Sequence, residues 1–152
     1  MVYAIDKWQN LLLGLIASMA LTVPAWGATP QDTKPMLLSM QSIQDASHGG
    51  VVAVVTVTSA QLEHAGTRSQ QARITAKIER LLHGQAGSDI TLVRFSSGTD
   101  TVLTLHHSYV VAAINNATYA PALELVEAVE VNPQDNAAIE ANLALLTKAA
   151  AQ

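Results

Sequence analysis

The chain has 152 residues, a formal net charge of −4 and no cysteine. That length is one ordinary domain, and the lack of cysteine excludes a disulfide-stapled fold, fitting a bacterial envelope protein better than a small eukaryotic secreted one. Charged residues make up only 13% and form no basic block, which excludes the clustered Lys/Arg footprint of a nucleic-acid binder.

The N-terminal stretch "MVYAIDKWQNLLLGLIASMALTVPAWGA" has a short polar start with Lys7, an apolar run from Leu11 to Val23, then Pro24 and small residues. This is the layout of a secretory signal peptide over residues 1–27. The run falls short of the roughly 20 residues that span a bilayer. No cysteine follows it, so a lipoprotein anchor is not expected. Removing residues 1–27 takes away one acid and one base, Asp6 and Lys7, so the charge stays at −4. Residues 28–35 form a polar, proline-bearing leader without periodicity, expected to be flexible. Asn116-Ala117-Thr118 matches a glycosylation acceptor, which is incidental in a bacterial reading.

Residues 36–150 are expected to form a single domain. "PMLLSMQSIQDASHGG" reads as a short helix with Pro35 at its start, Met36, Met40 and Ile43 on its apolar stripe, and Gly49-Gly50 as its stop. Ser39, Gln41, Ser42 and Asp45 would make its wet face. "VVAVVTVTSA" is β-branched almost throughout and predicts a strand buried on both faces at its start. "ARITAKIERLL" alternates, with Ala72, Ile74, Ala76 and Ile78 inward and Arg73, Thr75, Lys77 and Glu79 outward. "ITLVRF", "TVLTL" and "SYVVAAI" predict three more strands, the last two either side of His106-His107. "ALELVEAVEV" fits a strand through Leu123, Leu125, Val129 and Val131, although Glu127 breaks the alternation and leaves a helix open. A C-terminal helix is expected over 133–149, capped by Asn132 with Pro133 in its first position. Short strands separated by turns predict a mainly-β fold: a small antiparallel barrel or sandwich of five to six strands with a helix at each end.

One stretch goes beyond periodicity. "ARITAKIERLLHGQAGSDITL" resembles the second and third strands of the netrin-module, or tissue-inhibitor-of-metalloproteinases-like, secreted OB-fold domains and their bacterial relatives. Those carry an alternating strand, an "ervLkG" turn, a glycine and a further strand, here Ile78-Glu79-Arg80-Leu81-Leu82-His83-Gly84 with Gly87 and Ile90 following. "GVVAVVTVTSA" is similar to their first strand and "SYVVAAI" to a later one. The resemblance covers about residues 35–115 and implies an OB-like barrel. Where the relatives have Gly-Glu-Arg before that later strand, this chain has His106-His107-Ser108. The animal inhibitors act through an N-terminal cysteine, which is absent, so none of their functional residues carries over.

The most chemical-looking feature is His106-His107. Adjacent side chains on a strand point to opposite faces, so a zinc or copper site would need ligands from His48, His64, His83 or the Glu124–Glu130 region. A strand–turn junction is the simpler account. Ser47-His48 is only sequence adjacency, no G-x-S-x-G occurs, and Glu124, Glu127 and Glu130 read as a solvated face before they read as hydrolytic carboxylates. Enzyme activity is therefore not expected. What remains is the outward face of Arg73, Thr75 and Lys77, joined by Arg94, as a surface for a protein or envelope component. The expectation is an exported, periplasmic or extracellular, non-enzymatic binding module, with no cofactor and no membrane span after removal of the signal segment. The alternative is a metal-binding or metal-responsive protein using His106 or His107 with a divalent ion.

Overall fold

A computed structural model describes residues 36–96 and 103–152. The expected signal segment, the leader, the turn at residues 97–100 and the first two residues of "TVLTL" lie outside the described residues. In chain order the elements are α1 (Met40–Ser47), β1 (Val51–Glu63), β2 (Gln71–His83), β3 (Asp89–Phe95), β4 (Ser108–Asn115), β5 (Leu123–Glu130) and α2 (Asn136–Ala149). The strands close into a barrel in the order β1-β2-β3-β5-β4, the mainly-β, OB-like architecture expected. Four seams are antiparallel. The fifth, between β3 and β5, is a short parallel contact at Leu92–Leu123 and Val93–Glu124, a departure from an all-antiparallel barrel.

Alternation fills the barrel. Val51, Ala53, Val55 and Val57 of β1 meet Ala72, Ile74 and Ala76 of β2, Ile90 and Leu92 of β3, Tyr109, Val111 and Ala113 of β4 and Leu125 of β5 in one buried cluster. The intervening residues of β1, β4 and β5 are also apolar and form a second cluster outside the barrel. There Val52, Val54, Val110, Ala112 and Val129 pack under Leu38, Ile43 and Ala46 from the α1 segment and Ala138, Ile139 and Leu146 of α2. This is why the start of β1 and all of β4 up to Ala113 are buried on both faces.

Polar bonds fix where the two helices sit. The backbone N–H of Leu38 donates to Asn142 Oδ1 at 3.0 Å, and Asn142, wholly buried, donates back to the Ala138 carbonyl at 2.8 Å. One residue on, Glu127 Oε2 of β5 accepts from the Ser39 N–H at 2.9 Å and the Ser39 hydroxyl at 2.8 Å. Ser39 in turn caps α1 by accepting from the Ser42 N–H. Glu127, the residue that broke the strand alternation, is thus a cap delivered from the sheet to a helix start. At the other end of α1 the chain crosses itself tightly. A Cβ on Gly84, which has a φ of +88°, would collide with the Gly50 carbonyl oxygen, so only glycine fits there.

Several local expectations are corrected. The α1 helix starts at Met40 rather than beside Pro35. Met36 is 66% exposed and stands outside the stripe, while Ser42, assigned to the wet face, is buried. The second helix is capped by Asp135, which accepts from the Ala137 and Ala138 N–H groups. Asn132 instead accepts from the Gln134 N–H in a turn ahead of it. Both residue types cap equally well, so the sequence did not separate them. The described part of "TVLTL", residues 103–105, is not a strand. Leu103 packs against the barrel core, and the Thr104 N–H donates to the Tyr109 hydroxyl oxygen at 2.9 Å.

Burial raises the Glu127 carboxyl pKa, but hydrogen bonds from the Ser42 hydroxyl and from Ser39, with the nearby Arg94 charge, outweigh it and hold the group below the ordinary 4.5. A carboxyl depressed in the folded state stabilises above its unfolded pKa, and that stability is lost as pH falls through the folded value. The Glu127→Gln variant should therefore be less stable at neutral pH by about 1 kcal/mol and lose less on acidification than the parent. Urea midpoints across that range check this; parallel curves for the two proteins would contradict it.

Candidate functional site

The helices cover only part of the barrel's outer surface. The residues under the helices come from the first half of β1, β4 and β5 and the adjoining Val131, with Leu82 at the end of β2; none comes from β3. Away from those positions, the outer face of the β1–β2–β3 sheet has no helix of the second cluster over it. Cross-strand partners share a face, so the register reads out what this surface presents. Thr56, Lys77 and Asp89 form one row, Ser59, Thr75 and Thr91 the next, Gln61, Arg73 and Val93 a third, and Glu63, Gln71 and Phe95 the last. A register shift between Val57 and Ser59, where the Thr58 hydroxyl donates to the Thr75 carbonyl at 3.0 Å, keeps Val57 inward and Ser59 outward.

At the end of this face the polar groups are fixed. Arg73 Nε donates to Glu63 Oε1 and Gln71 Nε2 donates to Glu63 Oε2, each at 2.7 Å. The Arg73 and Gln71 bonds hold the Glu63 carboxyl below its usual range, so it is ionised at neutral pH. Lys77 pairs with Glu79 at 3.4 Å. Exposed pairs of this kind stabilise little, about 0–1 kcal/mol; their effect is to set side-chain positions and cancel charge. Val93 is buried although it lies on the outer face, flanked by Arg73 and, across the parallel seam, Glu124.

Of the residues expected at a partner surface, Arg73, Thr75 and Lys77 share this face and Arg94 does not. Arg94 pairs in register with Ala72, a core residue, so strand alternation turns it away from this face; its charge helps to lower the Glu127 pKa. Its neighbour Phe95 takes the outward position instead. Glu63, Gln71 and Phe95 were not singled out from the sequence. The available signal was that Phe95 is the chain's only phenylalanine and lies outside any apolar stripe.

The other candidates have structural partners. The residues of the pair His106-His107 are exposed and form a turn. His106 has a φ of +65°, its N–H donates to the Val57 carbonyl and the Val57 N–H to the His107 carbonyl, at 2.9 and 3.0 Å. His107 Nδ1 sits 2.7 Å from Glu130 Oε1. Among the described residues no three His, Asp or Glu side chains come together as metal ligands would, and His48, His64 and His83 do not join the pair. The Ser47 hydroxyl donates to the Ile43 carbonyl at 2.6 Å, and His48 Nδ1 lies 2.7 Å from the Gln44 carbonyl oxygen. Both are thus engaged by their own helix. Glu124 accepts from Asn116 Nδ2 at 2.7 Å, and with Glu127 at α1 and Glu130 at His107 the three acids are spread over three separate contacts. No helix among the described residues is long and apolar enough to cross a membrane.

A scan against protein-family models finds no match, and a comparison with curated protein sequences finds no significant relative.

The histidine turn makes a clear demand on position 106. A left-handed conformation costs a β-branched side chain roughly 1–2 kcal/mol and an asparagine little. Thermal melts should show His106→Val destabilised by about that amount and His106→Asn close to the parent. A destabilised asparagine variant would mean the imidazole itself is needed.

Proposed function

We propose that this chain is an exported bacterial binding module, non-enzymatic, that holds a component of the cell envelope against the outer face of β1–β2–β3 around Arg73, Thr75 and Lys77. The observation that carries the reading is the one-sided covering of the barrel. Both helices pack against the β1–β4–β5 side, while on the other side Lys77 and Phe95 are exposed and Arg73, Thr75 and Thr91 half-buried. Antiparallel sheets can leave one face in water, but Glu63, Gln71 and Arg73 are held in fixed positions, as a binding surface requires. Export is supported by the signal-peptide layout of residues 1–27. The OB-like barrel agrees with the resemblance to netrin-module domains, which rests on turn spacing and apolar positions alone. Envelope residence fits the absence of cysteine in a bacterial setting.

A photo-crosslinking amino acid at Thr75, compared with one at Glu140 on the exposed side of α2, tests the face directly in the native host. The reading predicts a discrete adduct from position 75 and none from position 140. Adducts from 140 alone, or none from 75, would overturn it.

A further inference from the structure

We infer that the outer face takes an uncharged polysaccharide strand, with Phe95 as its stacking platform and the Gln71–Glu63–Arg73 array as its hydroxyl-binding edge. This rests on the outer face being the working surface. Phe95 is the chain's only phenylalanine and is 55% exposed, although a barrel filled with Val, Ala, Ile and Leu has obvious use for a large apolar side chain. It stands directly across from Gln71, which stands across from Glu63. An apolar ring beside a fixed polar edge suits a ligand that is apolar on one side and polar on its rim, and the flat C–H face and equatorial hydroxyls of a pyranose have that form.

The hydrogen-bonding capacity agrees. Among the described residues each Glu63 oxygen receives one side-chain bond while a carboxylate oxygen can accept about two. The Nη donors of Arg73 and the Oε1 of Gln71 take part in none of these bonds, so donors and acceptors lie side by side. A sugar hydroxyl both donates and accepts, and neighbouring hydroxyls can bridge such a mixed edge. A phosphate or carboxylate would meet Glu63 and Glu79 as well as Arg73 and Lys77, a balance that gives an anion no net attraction. A polypeptide strand would need pockets for alternate side chains, whereas this face offers the short hydroxyl side chains of Ser59, Thr75 and Thr91 in one cross-strand row. Those hydroxyls continue the polar surface beyond the array, room for more than one sugar unit.

The test is a titration of the isotope-labelled protein with tetra-N-acetylchitotetraose and with cellotetraose, followed by NMR. Expected are amide shifts grouped around Glu63, Gln71, Arg73 and Phe95 with at least one of the two, insensitive to added salt. Phe95→Ala should weaken binding about tenfold, while Phe95→Trp retains it; thermal melts verify that both variants are folded. Shifts elsewhere, strong salt dependence, or unchanged affinity in Phe95→Ala would overturn the inference, as would silence with both sugars. Silence together with a protein adduct from position 75 would remove the polysaccharide and leave the binding face standing; silence with no adduct would remove both.

Discussion

Two-sided burial of β1 and β4 is the constraint from which the rest of the structure follows. A strand that alternates can leave one face in water, but Val51–Val55 and Tyr109–Ala113 have apolar side chains on both. Closing the barrel satisfies the inner set only. The outer set would leave Val52, Val54, Val110 and Ala112 wet, and each valine taken fully out of water contributes about 1.5–3 kcal/mol. A second layer is therefore required, and α1 and α2 supply it. Single hydrogen bonds contribute less, about 0.5–1.5 kcal/mol net, so Asn142 and Glu127 are not what holds the helices down. They select where the helices lie, because a displaced α1 would leave the Leu38 N–H buried without a partner, a penalty of about 1–3 kcal/mol.

The helices occupy the surface where the strands are apolar outside, and the more polar surface around Arg73, Thr75 and Lys77 is the face proposed above for binding. On that side Glu63 is held by two side chains, and Phe95, 55% exposed, stands across from one of them, Gln71. The acidic residues of β5, in contrast, are spent on structure, one at α1, one at His107 and one at Asn116.

Much of the architecture was legible in the sequence because it is written in short-range periodicity. The alternation over Ala72–Ile78 gave the inner and outer faces of β2, and the unbroken β-branched run at Val51 announced a strand covered twice. What stayed hidden depends on contacts distant in the chain. Glu127 disturbed its strand pattern because its partner, Ser39, lies 88 residues away. Arg94 was grouped with Arg73 although the β2–β3 register puts it opposite Ala72, and a one-residue difference in register reverses every side chain. The same reversal concealed Phe95. His106-His107 looked like ligand chemistry because a left-handed turn carried by a histidine leaves no mark that composition can distinguish from a site.

The most direct measurement of the two-sided account is side-chain accessibility to a soluble paramagnetic relaxation agent, read at methyl groups. Strong broadening of Thr75 and Thr91 with sharp signals from Val52, Val54 and Val110 is the result the account predicts. Broadened Val110 and Val54 methyls, or protected Thr75 and Thr91, would show that the helices do not cover the β1–β4 face or that the β1–β2–β3 face is not open, and either would contradict it.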